Sequence, residues 1–398
     1  MPGKILLRIA LLSIITILAL SAPVFAVPPS ADKTETGEKA GKKAPLNTTA
    51  ESAVLMEANS GQIIFEKEPD KELPMASVTK LMTLLLATDA VESGKVKLTD
   101  KVTVTENAWH MGGSQIFLEP GEEMTMKEML IAVAVGSAND ASVAVAEHIS
   151  GSEEAFVEAM NQRARELGLK HTHFANPTGL PAEGHYSSAR DLAVVLRECL
   201  KSPLFRNISS IYEYDLRGGD FKLWSNNKLL KWYPGVDAGK TGWTNEAKYC
   251  LASSCIRDGL RLVAVVLGTP EVKSHYRESI KLYNYGYARY KAVNVADAGI
   301  KVKSIPVGKG VERSVNLITA GNVGLVVPKG EEKGFTSRID VPEQINAPVQ
   351  KGQEIGNYVV VKNGREVLRV PLVAERSINK ASIFTQMNRA FNKFHGLQ

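Results

Sequence analysis

The chain is 398 residues long, enough for two or three domains, and is 44% hydrophobic and 23% charged, which excludes a disordered or fibrous protein. Its formal net charge of +5 falls to +3 without Lys4 and Arg8, too small for a protein that holds nucleic acid by charge. Cys199, Cys250 and Cys255 are too few for a disulfide scaffold or a cysteine-rich metal site, and a single long apolar run excludes a multi-span membrane protein.

Lys4 and Arg8 precede an apolar run over residues 9–22, Pro23 breaks it, and Val24-Phe25-Ala26 places small residues before Val27. This pattern predicts a secretory signal peptide over residues 1–26, with a retained membrane helix as the alternative; either puts the rest of the chain outside the cytoplasm. Residues 27–47, rich in Pro, Lys, Glu, Thr and Gly, read as a flexible spacer. From Ser52, two apolar runs flank Asn59-Ser60-Gly61, a predicted hairpin. A dense apolar helix opens near Ser77. Thr125 to Glu128 is a capping box ahead of an apolar helix over Met129 to Val135, and the pattern resumes after Gly136 through Ile149. A helix from about Ser152 stops at Gly168, and Leu262 to Leu267 reads as a buried strand. Cys250 and Cys255, five apart on one strand, face opposite sides, which predicts free buried thiols. Residues 48–288 therefore form a catalytic-sized mixed domain of strands and helices.

Helical periodicity is lost beyond about residue 290, and Asn363-Gly364 between two β-rich runs is the clearest hairpin signal of the chain. A small all-β domain is expected over 289–375. Residues 376–398 read as an amphipathic helix, predicted from Ser377, with Ile383, Phe384, Met387, Ala390, Phe391 and Phe394 on one face. Lys380, Arg389 and Lys393 stand on the other, with no acid. Such a helix suits an anionic membrane surface and is too short and interrupted to span.

Three short motifs carry the chemistry. Ser77-Val78-Thr79-Lys80 sets a hydroxyl and an amine on one helix face, where a lysine of depressed pKa could take the serine proton. Ser137-Ala138-Asn139 lies in a small-residue break between helices, and Lys240-Thr241-Gly242 lies on a predicted strand edge able to pair with an extended peptide and bind its carboxylate. The first two patterns occur elsewhere by chance, as at Ser30, Ser225 and Ser377, and alone Ser77 would be a helix cap and Lys80 a solvated lysine. Lys-Thr-Gly occurs once, and order and context single out this set. His148, His171, His173 and His185 repeat no metal spacing.

Together these are the signature of serine β-lactamases and penicillin-binding proteins. From about Ser52 onward the chain resembles the low-molecular-weight D-alanyl-D-alanine carboxypeptidases, closest to the branch associated with spore-forming bacteria. The stretches Met75-Ala76-Ser77-Val78-Thr79-Lys80-Leu81-Met82, Gly136-Ser137-Ala138-Asn139-Asp140-Ala141, Asn176-Pro177-Thr178-Gly179-Leu180 and Tyr233-Pro234-Gly235-Val236-Asp237 carry the resemblance. It implies an α/β (α+β) β-lactamase/transpeptidase-like domain, then the small β domain and the tail helix. It also implies an acyl-enzyme mechanism without metal or organic cofactor. Ser77 would be the nucleophile, Lys80 the proton acceptor and Ser137 a proton relay. Asn139 would hold the substrate amide, Lys240 and Thr241 the terminal carboxylate, and the N–H groups of Ser77 and Trp243, the latter next to Gly242, the oxyanion. The implied partners are the D-Ala-D-Ala end of peptidoglycan stem peptides and β-lactams that mimic it. Some relatives carry histidine where Trp243 stands, so here that side chain is expected only to wall the cleft. Asn176, Thr178 and Gly179 are expected as turn residues below it. The rival readings are a β-lactamase, which would need an additional glutamate, and a non-catalytic peptidoglycan-binding scaffold.

Overall fold

The computed structural model describes residues 46–394. The signal segment, the spacer up to residue 45, the Ser30 motif copy and the last four residues lie outside the described residues.

Five strands form one antiparallel sheet in the order Ile63–Lys67, Ser52–Glu57, Leu260–Thr269, Lys248–Arg257, Val236–Thr244. Alternation along the strands sorts side chains into two cores. Val54, Met56, Val263 and Val265 face the larger one, under the helices Lys80–Glu92 and Ala189–Cys199. Ala53, Leu55, Leu262 and Ala264 face a smaller one, under the helix Ser274–Arg289. The run Leu262 to Leu267 is apolar without alternation because its strand is central and covered on both faces. Cys250 joins the larger core and Cys255 the smaller, both free and buried.

The Thr125–Glu128 capping box forms, but its helix, Met126–Ile131, is shorter than expected. The chain leaves it through one wide π-type turn over Ala132–Gly136 that ends with Ser137 in the left-handed region, at φ 60°. Such turns recur at functional sites, and here it swings the serine out of the helix. Helices Asn139–Ser150 and Glu153–Glu166 follow, the second capped by Ser152.

Residues 290–374 form β structure: a six-stranded sheet and the pair Tyr290–Ala296 with Val323–Pro328. Glu354–Lys362 and Arg365–Ala374 make the predicted hairpin, with Asn363 and Gly364 both at positive φ as a type I′ turn needs. The tail helix begins at Ile383 rather than Ser377, because Ile378 is buried and bridges to Val349 while Lys380 bridges to Gly310. Arg389 donates to the carbonyls of Gly310 and Val311, pinning the polar side to the β domain. Ile383, Phe384 and Met387 are left 78%, 81% and 66% exposed. Among the described residues no helix is long and apolar enough to cross a membrane.

In the smaller core the Tyr283 hydroxyl lies 2.8 Å from Ser253 Oγ, both side chains fully buried, with the ring stacked on Tyr233. Tyr283→Phe keeps the ring but strands the Ser253 hydroxyl; the expected loss is about 1–3 kcal/mol, measured by urea unfolding.

Candidate active site

The turn Ala76–Thr79 runs directly into the helix Lys80–Glu92, so Ser77 and Lys80 share one face at the mouth of the sheet. Lys80 has no solvent exposure. Its Nζ lies 3.1 Å from Ser77 Oγ and 2.6 Å from both Asn139 Oδ1 and the Thr178 carbonyl. Three segments far apart in sequence therefore meet at one amine. Burial, reinforced by the charge on Lys240, pushes that amine well below its usual pKa, with Asp140 opposing.

Ser137 lines the same cleft, and its hydroxyl has no protein partner among the described residues. Asn139 differs from its expected place: with Oδ1 on Lys80, its Nδ2 donates to the Gly112 carbonyl at 2.6 Å, so both ends are engaged within the protein. Its neighbour Asp140, buried, accepts from the N–H groups of Ile116 and Leu118 at 3.0 and 3.2 Å and so ties the rim loop to this turn. Asp140 and Gly112 were not singled out by the sequence because Asp140 bonds backbone N–H groups more than twenty residues away and Gly112 acts only through its own carbonyl, which leaves no side-chain pattern.

Lys240, Thr241, Gly242 and Trp243 lie on Val236–Thr244, the edge of the five-stranded sheet, so one row of backbone groups faces the cleft rather than another strand. Lys240 is buried, donates to the Thr241 carbonyl at 2.9 Å, and has its pKa pushed down to about 7 by burial. Gly242 touches the Ser77 turn: a Cβ there would sit 2.6 Å from the Met75 carbonyl and 3.0 Å from Ser77 N. Trp243 is 54% exposed, lies tilted at 40° to the Tyr249 ring and walls the cleft. The cleft has a volume of about 290 Å³ and takes in Ser77, Ser137, Thr241, Gly242, Trp243 and Tyr276. The Ser225 and Ser377 motif copies do not reach Lys80. Ser225 Oγ accepts from Asn227 N, and Ser377 Oγ from Lys351 N.

The turn Asn176–Gly179 does more than close a loop. Asn176 Oδ1 accepts from the N–H groups of Thr178 and Gly179 at 3.1 and 2.7 Å, and Thr83 Oγ1 donates to the Pro177 carbonyl at 2.7 Å. These bonds aim the Thr178 carbonyl at Lys80. Gly179 has φ 85°, and a Cβ there would lie 2.0 Å from the Ala76 carbonyl oxygen. Gly179→Ala must therefore displace the Ala76–Ser77 peptide. The expected outcome is a folded protein, by circular dichroism, whose Ser77 is acylated about a hundredfold more slowly, by stopped-flow with a fluorescent acylating reagent.

Comparison with known proteins adds an independent line. Residues 38–271 match the D-alanyl-D-alanine carboxypeptidase family, and residues 290–380 match the C-terminal domain of penicillin-binding protein 5. The chain is 43% identical to D-alanyl-D-alanine carboxypeptidase DacF of Bacillus subtilis (strain 168) over 365 residues, covering 91% of this chain and 93% of that one. It is 34% identical to D-alanyl-D-alanine carboxypeptidase DacA of Escherichia coli (strain K12), covering 84% and 85%. Among solved structures, penicillin binding protein 5 from Haemophilus influenzae superposes with a TM-score of 0.71 at 33% identity, over 85% of this chain and all of that one. With the motifs gathered at one cleft and both domains matched, the chain belongs to the D-alanyl-D-alanine carboxypeptidase family.

Proposed function

We propose that the cleft removes the terminal D-alanine of peptidoglycan stem peptides through an acyl-serine intermediate, with Ser77 as nucleophile and Lys80 as its base. The three contacts of Lys80 Nζ carry this reading. A neutral amine has two protons, and Asn139 Oδ1 and the Thr178 carbonyl accept both. The lone pair is then left for the Ser77 hydroxyl, whose O–H donates to it. Ser77 Oγ attacks the carbonyl between the two D-alanines while Lys80 takes the proton. The N–H groups of Ser77 and Trp243 hold the oxyanion, supported by the close approach of Gly242 to the nucleophile turn. The C–N bond then breaks, and Lys80 and Ser137 return the proton to the leaving amine. D-alanine departs, and water cleaves the ester to restore Ser77. Asn139 acts by holding Lys80, with Oδ1 on Nζ and Nδ2 on the Gly112 carbonyl. Lys240, charged, and Thr241 bind the terminal carboxylate, and the substrate lies antiparallel along the free strand edge.

Intact-mass analysis with benzylpenicillin tests the reading. A long-lived adduct mapped to Ser77 and absent from Ser77→Ala is expected, together with release of D-alanine from an acyl-D-Ala-D-Ala peptide. An adduct that clears within seconds would favour a β-lactamase instead; against that, the described residues lining the cleft include no carboxylate. No adduct would favour the scaffold reading. The two buried lysines set the pH dependence. Lys80 works deprotonated, so activity rises with pH as it loses its proton, below its ordinary range. Lys240 works protonated, so kcat/KM falls as pH climbs through about 7. The profile is bell-shaped, and Lys240→Gln abolishes the basic limb and raises KM.

The leader supports export, and the whole mature chain is read as extracytoplasmic, held peripherally at the membrane by its tail. The exposed stripe of Ile383, Phe384 and Met387, opposite a polar side anchored by Arg389, supports that anchor. Replacing Phe384 and Met387 together by Asp is expected to abolish co-sedimentation with anionic phospholipid vesicles while leaving D-alanine release in solution unchanged. The resemblance to the branch of spore formers supports a sporulation role beside general wall trimming.

A further inference from the structure

Thr79, inside the Ser-x-x-Lys motif, is fully buried and its hydroxyl stands between two groups. Oγ1 donates to the Ala76 carbonyl at 2.8 Å and lies 2.8 Å from His185 Nε2. The other ring nitrogen, Nδ1, accepts from the Ala175 N–H at 2.9 Å. An amide N–H only donates, so Nδ1 carries no proton and Nε2 does. Nε2–H then donates to Thr79 Oγ1, whose own proton is committed to Ala76. Every bond of this relay points one way, toward the carbonyl of the residue before the nucleophile.

That carbonyl shares a planar trans peptide with the Ser77 N–H, so the two groups point in opposite directions. Ala76 sits at φ 48°, an unfavoured conformation for a residue with a Cβ that must be held by its surroundings. Ser77 belongs to the opening turn, so its N–H has no acceptor within that turn and is free to serve a ligand. We infer that His185 is a positioning residue: through Thr79 it anchors the Ala76 carbonyl and thereby aims the Ser77 N–H into the cleft as an oxyanion donor. The inference rests on the acyl-serine reading of the cleft. A histidine satisfied merely as core would need no directed relay to the motif. His185 is also held neutral, its pKa pushed down to about 4 chiefly by burial, which keeps the relay in this one tautomer.

Two pairs of variants separate positioning from packing. Asn at 185 places an acceptor where Nδ1 stood and loses the Thr79 bond; Gln reaches the Nε2 position and keeps it. Likewise Thr79→Val deletes the hydroxyl and Thr79→Ser restores it. The expected result, by stopped-flow acylation with benzylpenicillin, is that His185→Asn and Thr79→Val each slow the bimolecular rate by about tenfold to a hundredfold. His185→Gln and Thr79→Ser should recover most of it. In D-alanine release the loss should fall on kcat rather than KM. The double variant His185→Asn/Thr79→Val should be no slower than either single one, since both break the same chain. Equal rates for Asn and Gln at 185, or losses that multiply in the double variant, would overturn the inference. Should His185→Asn fail to fold, the Thr79 pair with His185→Gln decides alone: wild-type acylation by Thr79→Val overturns it. The parent reading fails separately, by absence of a Ser77 adduct in the unaltered protein.

Discussion

One amine without solvent organises this protein. Lys80 is surrounded by neutral oxygens at hydrogen-bond distance, with only the more distant Asp140 to offset a charge. A buried ammonium in that setting is costly, and the cost falls when the amine is neutral. Stability thus favours the protonation state that the proposed base role of Lys80 requires. The arrangement requires three segments in register: the helix that carries Ser77, the turn that carries Asn139, and the loop whose Thr178 carbonyl points inward. Much of the local architecture serves that convergence, from the wide turn before Ser137 to the Asx turn at Asn176.

The second constraint is the unpaired sheet edge. The strand with Lys240 ends the five-stranded sheet and lies against the Ser77 turn at Gly242, so close that a methyl group there would collide with backbone. A free strand edge is ordinarily a hazard. Here it borders the cleft at the Ser77 turn, where the proposed peptide substrate would pair with it. Lys240, buried one residue from Thr241, adds charge that is weakly held, because burial lowers its pKa to about 7. A bound carboxylate would raise it again, tying ligand binding to protonation.

The β domain and the tail stand apart from the cleft residues. Their hairpins build a separate core, and the last helix is fastened by Arg389 so that its Phe- and Ile-bearing stripe faces outward. The expectation of a helix from Ser377 erred because periodicity does not reveal that Ile378 is better buried as a β-bridge partner of Val349.

Everything local or periodic is legible in the linear chain. The Asn363-Gly364 hairpin, the Thr125 capping box, the buried run Leu262 to Leu267 and the spacing of Ser77 with Lys80 depend on neighbours within a few residues. So did the choice of the three motifs, since order and rarity are visible in one dimension. Which backbone atoms meet those side chains depends on how distant segments fold together. The Thr178 carbonyl on Lys80, the Gly112 carbonyl on Asn139 and the N–H groups on Asp140 are donors and acceptors that every residue possesses, so no residue type announces them. The same holds for His185, which as a sequence feature was one unassigned histidine among several. Its role as a donor to Thr79 follows from chain folding that brings residues 106 positions apart to 2.8 Å.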